Sequence, residues 1–341
     1  MCRFLFYLLI LCFPVQLVFG QTDYSAKGEH RVEIIEFNTI IDTSRSKNIP
    51  IKIHYPKESG KYPLIIISHG AGGNWDTHYG LADHLASFGY IVFCIEHTGS
   101  NTKALQSSFR IMKNLNAMVH NGKEVLGRPK DVSFIIDQAI ILNETNDILK
   151  HKIDIENIGV LGHSFGAYTS MAIAGIKPVL DWLEPRKEYK NGLAPDMKDK
   201  RVKACIALSP QGIGAPFFKE ESFQSLSIPL LGITGTEDKL IGGISSTSRY
   251  DAFKYWPENG NNIFIWLNQV QHLDFTDNEG KATKGIKTKN QKEVQKIVRA
   301  SSLLFFNQLL KNDDGAKSLL TDEGLIPYLG KNINTIEVRK K

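Results

Sequence analysis

The chain has 341 residues, of which 42% are hydrophobic and 23% are charged, and its formal net charge is +5. This length and composition are ordinary for a soluble globular protein with one large domain or two smaller ones. Basic residues are scattered, and no basic block is rich enough in aromatic residues to indicate nucleic-acid binding. The densest lysine cluster, at 281–296, is typical of a solvated loop and helix face.

The N-terminus, MCRFLFYLLILCFPVQLVFGQTDY, has the pattern of a secretory signal peptide. One arginine precedes a short apolar core, Pro14 breaks that core, and a cleavage site is predicted after Gly20. A membrane anchor is disfavoured because the apolar run is shorter than the roughly 20 residues that a span needs. A lipid anchor on Cys12 is disfavoured because the bulky Leu11 precedes it. We expect residues 1–20 to be removed on export to a periplasm or the cell exterior, leaving no membrane span.

The rest of the chain alternates between strand-like and helix-like patterns. Half-buried strands are indicated by RVEIIEFNTII and IPIKIHYP, and buried strands by the apolar runs in YPLIIISHG, YIVFCIEH, NIGVLGHS, VKACIALSP, IPLLGITG and NNIFIWLN. Helical spacing is found in THYGLADHLASFG, DVSFIIDQAIIL, FGAYTSMAIAG and NQKEVQKIVRASSLLFFNQLLK. Apolar strands separated by helices predict an α/β fold, with a mostly parallel sheet covered by helices on both faces.

Three polar segments interrupt this alternation, at residues 99–127, 177–201 and 211–226. In open α/β sheets, insertions at the C-terminal ends of strands shape the ligand cleft. The last of the three is a candidate lid. No segment has the composition of an interdomain linker, so a single domain is expected over residues 21–341.

The segment NIGVLGHSFGAYTSMA places Ser164 between Gly162 and Gly166, where a buried strand ends and a helix begins. A turn of this kind strains the serine backbone so that the hydroxyl protrudes. The residues two before and two after must then lack side chains, because strand and helix would otherwise collide. A plain structural turn is the alternative interpretation, but this context favours a nucleophile.

A serine hydroxyl needs a base, and the base needs an orienting acid. For a serine on a strand-to-helix turn, the order along the chain is serine, acid, histidine. His272 is the only histidine after Ser164, so it is the predicted base. Asp238 follows the apolar run of IPLLGITG and is the preferred acid, with Glu237 and Asp274 as alternatives.

Attack on an ester places negative charge on the carbonyl oxygen, which two backbone N–H groups usually bind. One donor follows the nucleophile and is therefore Phe165. The other is expected in the glycine-rich loop SHGAGGNW, where Ala71 is preferred and Gly72 is the alternative. His69 is expected to have a structural role beneath this loop, by packing or by hydrogen bonding.

Trp75 and Gln211 are predicted to line the substrate site. The other candidates are Phe165, Phe217, Phe218, Leu240 and Trp256. Core packing is an equally good interpretation for most of the aromatic residues, and only Trp75 and Phe165 are favoured over it. No cysteine and histidine cluster has the spacing of metal ligands, and no glycine loop has a phosphate-binding pattern. No metal and no cofactor are therefore expected.

The segments PLIIISHGAGGNWDTHYGLADHLASFGYIVFCIEH and IDIENIGVLGHSFGAYTSMA resemble the α/β-hydrolase superfamily of serine esterases. They are most similar to the branch of platelet-activating-factor acetylhydrolases and dienelactone-hydrolase-like esterases. The resemblance extends from about Pro50 to Asp277, and more weakly through the C-terminal helix. It implies an α/β-hydrolase fold with eight strands in the order 1-2-4-3-5-6-7-8, mostly parallel and flanked by helices.

That strand order bears on the two cysteines outside the signal peptide. Two strands would separate Cys94 from Cys205, and three strand spacings of about 4.8 Å exceed the reach of a disulfide. Free, buried thiols are therefore expected.

The chain departs from related families at three places. Plasma acetylhydrolases carry their acid after the sixth strand, where this chain has Ser209. Dienelactone hydrolases use a cysteine nucleophile, whereas this chain has Ser164. Polyester hydrolases carry an aromatic residue shortly after the sixth-strand proline, whereas Gln211 and Gly212 follow Pro210 here. These departures weaken the expectation of a phospholipid-acetyl or polyester substrate.

Together these residues predict a secreted serine hydrolase that cleaves small-molecule carboxylic esters with short acyl chains through an acyl-enzyme. A lipase, a phospholipid-acetyl hydrolase and a polyester hydrolase are alternatives with the same fold. A serine peptidase is disfavoured because it would need an additional substrate-gating domain. A non-catalytic binding protein of hydrolase fold is the alternative from another class, and it is disfavoured because all three triad positions are filled.

Overall fold

The computed structural model describes residues 22–181, 192–214, 217–239, 245–277, 279–280 and 287–341. The predicted signal peptide at residues 1–20 and the pocket candidate Leu240 lie outside these ranges. The predicted insertions at 177–201 and 211–226 are described only in part.

Within the described residues, nine strands form one mixed sheet and two short strands form a separate antiparallel ribbon. In chain order the strands are β1 (Val32–Phe37), β2 (Ile41–Asp42), β3 (Lys47–Asn48), β4 (Ile51–Pro56), β5 (Tyr62–Ser68), β6 (Ile91–Ile95), β7 (Ile153–His163), β8 (Val202–Leu208), β9 (Leu230–Glu237), β10 (Ile263–Gln271) and β11 (Ile336–Lys340). The main sheet has the order β1-β4-β6-β5-β7-β8-β9-β10-β11. Its five central pairings, from β6 to β10, are parallel, and the pairings of β1 with β4, β4 with β6 and β10 with β11 are antiparallel.

Helices cover both faces of this sheet. They are α1 (Tyr79–Ser87), α2 (Thr102–Leu105), α3 (Ile111–Val119), α4 (Gly122–Thr145), α5 (Phe165–Ile173), α6 (Ser246–Ala252), α7 (Gln291–Leu310), α8 (Asp314–Leu319) and α9 (Asp322–Leu325). Short 3-10 helices span Glu220–Ser225, Phe253–Tyr255, His272–Phe275 and Ile326–Tyr328. None of the helices in these described ranges is both long and apolar enough to cross a membrane.

Strand β5 consists of an unbroken apolar run because it is buried on both faces of the sheet. Leu64 and Ile66 pack in the cluster that contains α4 and α5, whereas Ile65 and Ile67 pack in the cluster that contains α1 and α7. Successive side chains of a strand point to opposite faces, so a strand covered on both faces needs apolar residues at every position. The sheet therefore separates two hydrophobic cores.

The two cysteines in the described residues are free and buried, as predicted. Cys94 lies on β6 and Cys205 lies on β8, with β5 and β7 between them. The two side chains also pack in different cores, on opposite faces of the sheet. Burial raises the pKa of both thiols, so neither is a thiolate at neutral pH.

The first eight strands of the main sheet have the order that the resemblance implied, and the predicted α/β-hydrolase fold is confirmed. The sheet has one strand more than predicted, because β11 adds to its edge beside β10. That strand is short, rich in charged residues and only half-buried, so its sequence lacks the apolar run that marks the central strands. The polar segment 99–127 forms α2, α3 and the beginning of α4.

Because these strands are parallel, the loops that follow β5, β7, β8, β9 and β10 all lie at one edge of the sheet, the one formed by the C-terminal ends of the strands. At or near the ends of these strands, Ser68 pairs with Gly162, His163 with Leu208, and Glu237 with Gln271. The residues that follow these pairs are therefore neighbours, although they are far apart in the sequence. Ligands of open α/β sheets bind at this edge.

Candidate active site

Ser164 lies in the turn between β7 and α5, with backbone angles of φ 57° and ψ −116°. This positive φ is uncommon for a residue with a Cβ and marks local strain. A Cβ on Gly162 would lie 2.1 Å from the carbonyl oxygen of Gly166, and a Cβ on Gly166 would lie 1.9 Å from that of Ser68. Both positions therefore require glycine, and the turn leaves Ser164 partly exposed.

His272 follows β10 and contacts both of the residues predicted to act with it. Its Nε2 lies 2.9 Å from Oγ of Ser164, and its Nδ1 lies 2.8 Å from Oδ1 of Asp238. Because Nδ1 faces a carboxylate, it carries the ring proton, and Nε2 is free to accept the serine proton. The structure therefore brings the predicted nucleophile, base and acid together, with the contacts that acyl transfer requires.

Asp238 is fully buried and surrounded by groups that stabilise its charge. Thr234 Oγ1 donates to its Oδ2 at 2.7 Å, and Nη2 of Arg249 lies 3.6 Å from its Oδ1. Burial alone would raise the pKa of Asp238, but the charge of Arg249 and the hydrogen bonds from His272 and Ser209 outweigh it. They hold the pKa of this carboxyl well below its usual range, so Asp238 is ionised at neutral pH.

Arg249 is a fully buried residue of α6 that sequence reasoning did not identify. Its Nη1 donates to the carbonyl oxygens of Ser209, at 3.1 Å, and Pro210. Its Nε lies 3.3 Å from the carbonyl oxygen of Asp238. Arg249 thus joins the loop after β8 to the loop after β9. The polar sequence STSRYDA resembles an exposed helix and contains no signal of this role.

Ser209, directly after β8, has a second strained backbone, with φ 57°. Its Oγ lies 2.9 Å from Nδ1 of His272. The polar hydroxyl also helps to keep the pKa of Asp238 low. This is the position at which the resemblance places the acid of plasma acetylhydrolases. A hydroxyl supplies a polar contact without charge, so in this chain the carboxylate facing the imidazole comes from Asp238.

His163, directly before Ser164, contacts the backbone of His272. Its Nε2 donates to the carbonyl oxygen of His272 at 3.0 Å, and the two ring centroids are 4.8 Å apart. Burial, followed by the proximity of His272 and His78, lowers the pKa of His163 well below its usual value. His163 is therefore a neutral donor that fixes the backbone of the predicted base.

The glycine-rich loop after β5 lies against Ser164, since a Cβ on Gly70 would be 3.3 Å from the Ser164 Cβ. The N–H of Gly72 is already used, because it donates to the carbonyl oxygen of Ser100 at 2.8 Å. Within the described part of the chain, the N–H groups of Ala71 and Phe165 have no acceptor. Of the predicted donors, these two remain available to a substrate oxygen.

The two predicted substrate-binding residues have different surroundings. Gln211 is buried beside Ser164, and its Nε2 donates to the carbonyl oxygen of Ser164 at 2.9 Å. Trp75 donates its backbone N–H to Glu96 at 2.9 Å, and its ring lies 5.1 Å from Nζ of Lys52. The structure therefore brings Gln211 to Ser164, whereas the described contacts of Trp75 lie elsewhere.

The remaining candidates have contacts of their own. Glu237 is exposed and accepts from Nε2 of Gln271 at 3.1 Å, and Asp274 accepts from the backbone N–H of Gln271 at 2.7 Å. Of the pocket candidates, four are buried in one core cluster, namely Phe165, Phe217, Phe218 and Trp256. Across the described ranges, no group of three or more histidine, cysteine, aspartate or glutamate side chains is arranged to hold a metal ion.

Comparison with known proteins identifies similar sequences. The model of the family described as Chlorophyllase matches residues 20–179, just under half of the chain. A platelet-activating factor acetylhydrolase from Cavia porcellus is 26% identical over 319 residues, which cover 83% of this chain and 66% of that protein. The cutinase est1 of Thermobifida alba is 24% identical over 221 residues, which cover 65% of this chain and 57% of that protein.

A second platelet-activating factor acetylhydrolase, from Canis lupus familiaris, is 28% identical over 180 residues and matches 44% of this chain. The matched part covers 38% of that relative. The chain thus spans less than two thirds of the length of each of these three curated relatives.

Proposed function

On the premise that the chain is an α/β hydrolase of the serine esterase family, as its fold and relatives indicate, we propose that it hydrolyses short-acyl carboxylic esters. Ser164 is the nucleophile, His272 the base and Asp238 the orienting acid. We further propose that residues 1–20 direct export and that residues 21–341 form one domain.

The continuous contact from Ser164 through His272 to Asp238 carries this proposal. Its two hydrogen bonds measure 2.9 and 2.8 Å, and each joins residues more than 30 positions apart in the sequence. Ser164 has the strained backbone that is typical of a nucleophile on a strand-to-helix turn. The groups around Asp238 keep its carboxylate ionised. These features support acyl transfer more directly than simple binding, which requires none of them.

In the first step, Ser164 attacks the ester carbonyl while Nε2 of His272 accepts its proton. A C–O bond forms, the carbonyl oxygen becomes an oxyanion, and the imidazole becomes a cation stabilised by Asp238. The N–H groups of Ala71 and Phe165 bind the oxyanion. Losing one such donor typically raises the barrier by roughly 2.7–4 kcal/mol.

In the second step, the alcohol leaves with the proton from His272, and an acyl-enzyme remains on Ser164. Water, activated by the same imidazole, attacks the acyl carbonyl and releases the acid. Throughout both steps His163 holds the backbone of His272, and Arg249 holds the loop that carries Asp238.

Two observations favour a short acyl group. The relative from Cavia porcellus, whose match covers 83% of the chain, is named a platelet-activating factor acetylhydrolase. In addition, the polar Gln211 is buried against Ser164, and a polar side chain beside the proposed nucleophile suits a small acyl group better than a long hydrocarbon chain. Lipids, phospholipid acetyl groups and polyesters are the competing substrates.

An activity-based fluorophosphonate probe tests the nucleophile. We expect the full chain to label, Ser164→Ala to show no labelling, and the exported, labelled protein to begin at Gln21. The matched control is Ser209→Ala, which removes the other strained serine of the site but leaves the proposed nucleophile in place. Labelling that persists in Ser164→Ala would contradict the assignment, and an unlabelled wild type would favour a non-catalytic binding protein.

A series of p-nitrophenyl esters from acetyl to palmitoyl tests the substrate class. We expect kcat/KM to be highest for the acetyl and butyryl esters and to fall by at least about tenfold at palmitoyl, because several buried methylenes would find no apolar wall. A maximum at long chains would indicate a lipase instead. Matched assays with an acetylated phospholipid and an aliphatic polyester film test the other two alternatives.

A further inference from the structure

His69, at the end of β5, is almost completely buried and held in one tautomer. Its Nε2 accepts the backbone N–H of His97 at 3.0 Å, and its Nδ1 lies 2.6 Å from the carbonyl oxygen of Gly70. Because Nε2 is an acceptor, the ring proton is on Nδ1 and is donated to Gly70. Burial, followed by the charges of Arg128 and His97, lowers the pKa of His69 well below its usual value, so the ring stays neutral.

This hydrogen bond sets the direction of the next peptide N–H. The carbonyl of Gly70 and the N–H of Ala71 belong to one planar trans peptide, so they point in opposite directions. The Gly70 oxygen accepts from His69 and also from the backbone N–H of Gly73 at 3.1 Å. Two donors on one side of the peptide hold its carbonyl there, and the N–H of Ala71 is therefore presented on the other side.

A buried arginine of α4 joins this loop to the second proposed oxyanion donor. Arg128 is fully buried, and its Nη2 donates to the carbonyl oxygen of His69. Its guanidinium carbon lies 4.5 Å from the centroid of the Phe165 ring, within the range of a cation–π contact. One side chain therefore contacts both segments that carry the proposed donors.

The ring of His97 completes this support. Its Nδ1 lies 2.8 Å from Oδ2 of Asp131, and its Nε2 lies 2.9 Å from Oγ of Ser68. These are the distances of a catalytic Ser-His-Asp chain, but all three side chains are fully buried and out of reach of a substrate. These three hydrogen-bonded side chains instead fix the position of His97, whose backbone N–H donates to the ring of His69.

We propose that His69 is a positioning residue that aims the N–H of Ala71 at the oxyanion, and that Arg128 and the buried chain of Ser68, His97 and Asp131 hold it in place. The inference rests on the proposed function, because an oxyanion forms only if Ser164 attacks a carbonyl. It extends that function by assigning the oxyanion geometry to a second, buried hydrogen-bond network.

The matched variants His69→Asn and His69→Gln distinguish the two hydrogen bonds of the His69 ring, one to Gly70 and one to His97. Asparagine places an amide N–H near the position of Nδ1 and so keeps the donor to Gly70, whereas glutamine reaches the Nε2 position and keeps only the contact with His97. We expect His69→Gln to lower kcat at least about tenfold with KM changed less than about threefold, and His69→Asn to recover most of that loss.

Affinity for a trifluoromethyl ketone gives a second readout. This inhibitor adds to the nucleophilic serine and forms an oxyanion, so it senses the transition-state donors that KM does not. We expect its Ki to rise in His69→Gln by the same factor as kcat falls, and to stay near the wild-type value in His69→Asn. If His69→Gln does not fold, His69→Ala replaces it, because alanine also lacks the donor to Gly70.

The control pair is His54→Asn and His54→Gln. His54 is a buried histidine of β4 whose ring nitrogens have no hydrogen-bond partner in the described residues, and we expect its two variants to have equal activity. Equal kcat and Ki in the two His69 variants, with an active wild type, would overturn this inference alone. A wild type that neither hydrolyses esters nor binds the ketone would overturn the proposed function as well.

Discussion

Replacing Asp238 with asparagine is expected to lower kcat on p-nitrophenyl acetate by about 10⁴-fold, with KM changed only a few-fold. In the wild type, the Asp238 carboxylate accepts the Nδ1 proton of His272. An amide can present an N–H to Nδ1 instead, which moves the ring proton to Nε2, where it prevents acceptance of the Ser164 proton. Steady-state kinetics on samples verified as folded by circular dichroism measure this effect.

The neighbouring carboxylate is the matched control. Glu237 is exposed and bonded to Gln271, so Glu237→Gln is expected to leave kcat within about twofold of the wild type. The opposite pattern, a large loss in Glu237→Gln and a small one in Asp238→Asn, would reassign the acid. Equal small losses in both would show that the imidazole needs no carboxylate partner.

Replacing Arg249 with leucine is expected to lower the free energy of unfolding by about 3–5 kcal/mol at pH 7. The substitution leaves the Asp238 carboxylate buried without its cation and removes the donors to the backbone of Ser209 and Pro210. An uncompensated buried charge costs far more than a lost surface ion pair. Equilibrium unfolding in urea, followed by tryptophan fluorescence, measures the difference.

The pH dependence identifies the cause of this loss. In the wild type the pKa of Asp238 lies below its usual value, so its stabilising contribution is complete above the usual carboxyl range and declines as the pH falls. Without Arg249, the pKa of Asp238 rises, and protonation at low pH relieves the buried charge. The difference between wild type and Arg249→Leu is therefore expected to be largest at pH 7 and to shrink toward pH 3.

Arg110→Leu is the control for this experiment. Arg110 is exposed and its guanidinium contacts only the ring of Phe109 among the described contacts of its side chain, so the change is expected to alter stability by less than about 0.5 kcal/mol. A loss for Arg249→Leu that is equally small, or that does not depend on pH, would contradict the role assigned to this ion pair.

The strained turn at Ser164 was predictable because its two glycines leave a short pattern in consecutive letters. A Cβ on Gly162 would meet the backbone of Gly166, four residues further on, and a Cβ on Gly166 would meet the carbonyl oxygen of Ser68, at the end of the neighbouring strand β5. His272 is the predicted base by elimination, since it is the only histidine after Ser164. The central strands were predictable for a related reason, because burial on both faces requires an unbroken apolar run.

The sequence by itself therefore determined the α/β architecture, the strained turn and the candidate nucleophile and base. Only the tertiary structure decided which groups each buried arginine contacts. Arg249 contacts the carboxylate of Asp238, and Arg128 contacts the backbone of His69 and the ring of Phe165. An arginine that will be buried has the same letter and the same polar neighbours as one in solvent. Its partner is chosen by how helices dock on the sheet, and that depends on contacts between residues distant in the chain.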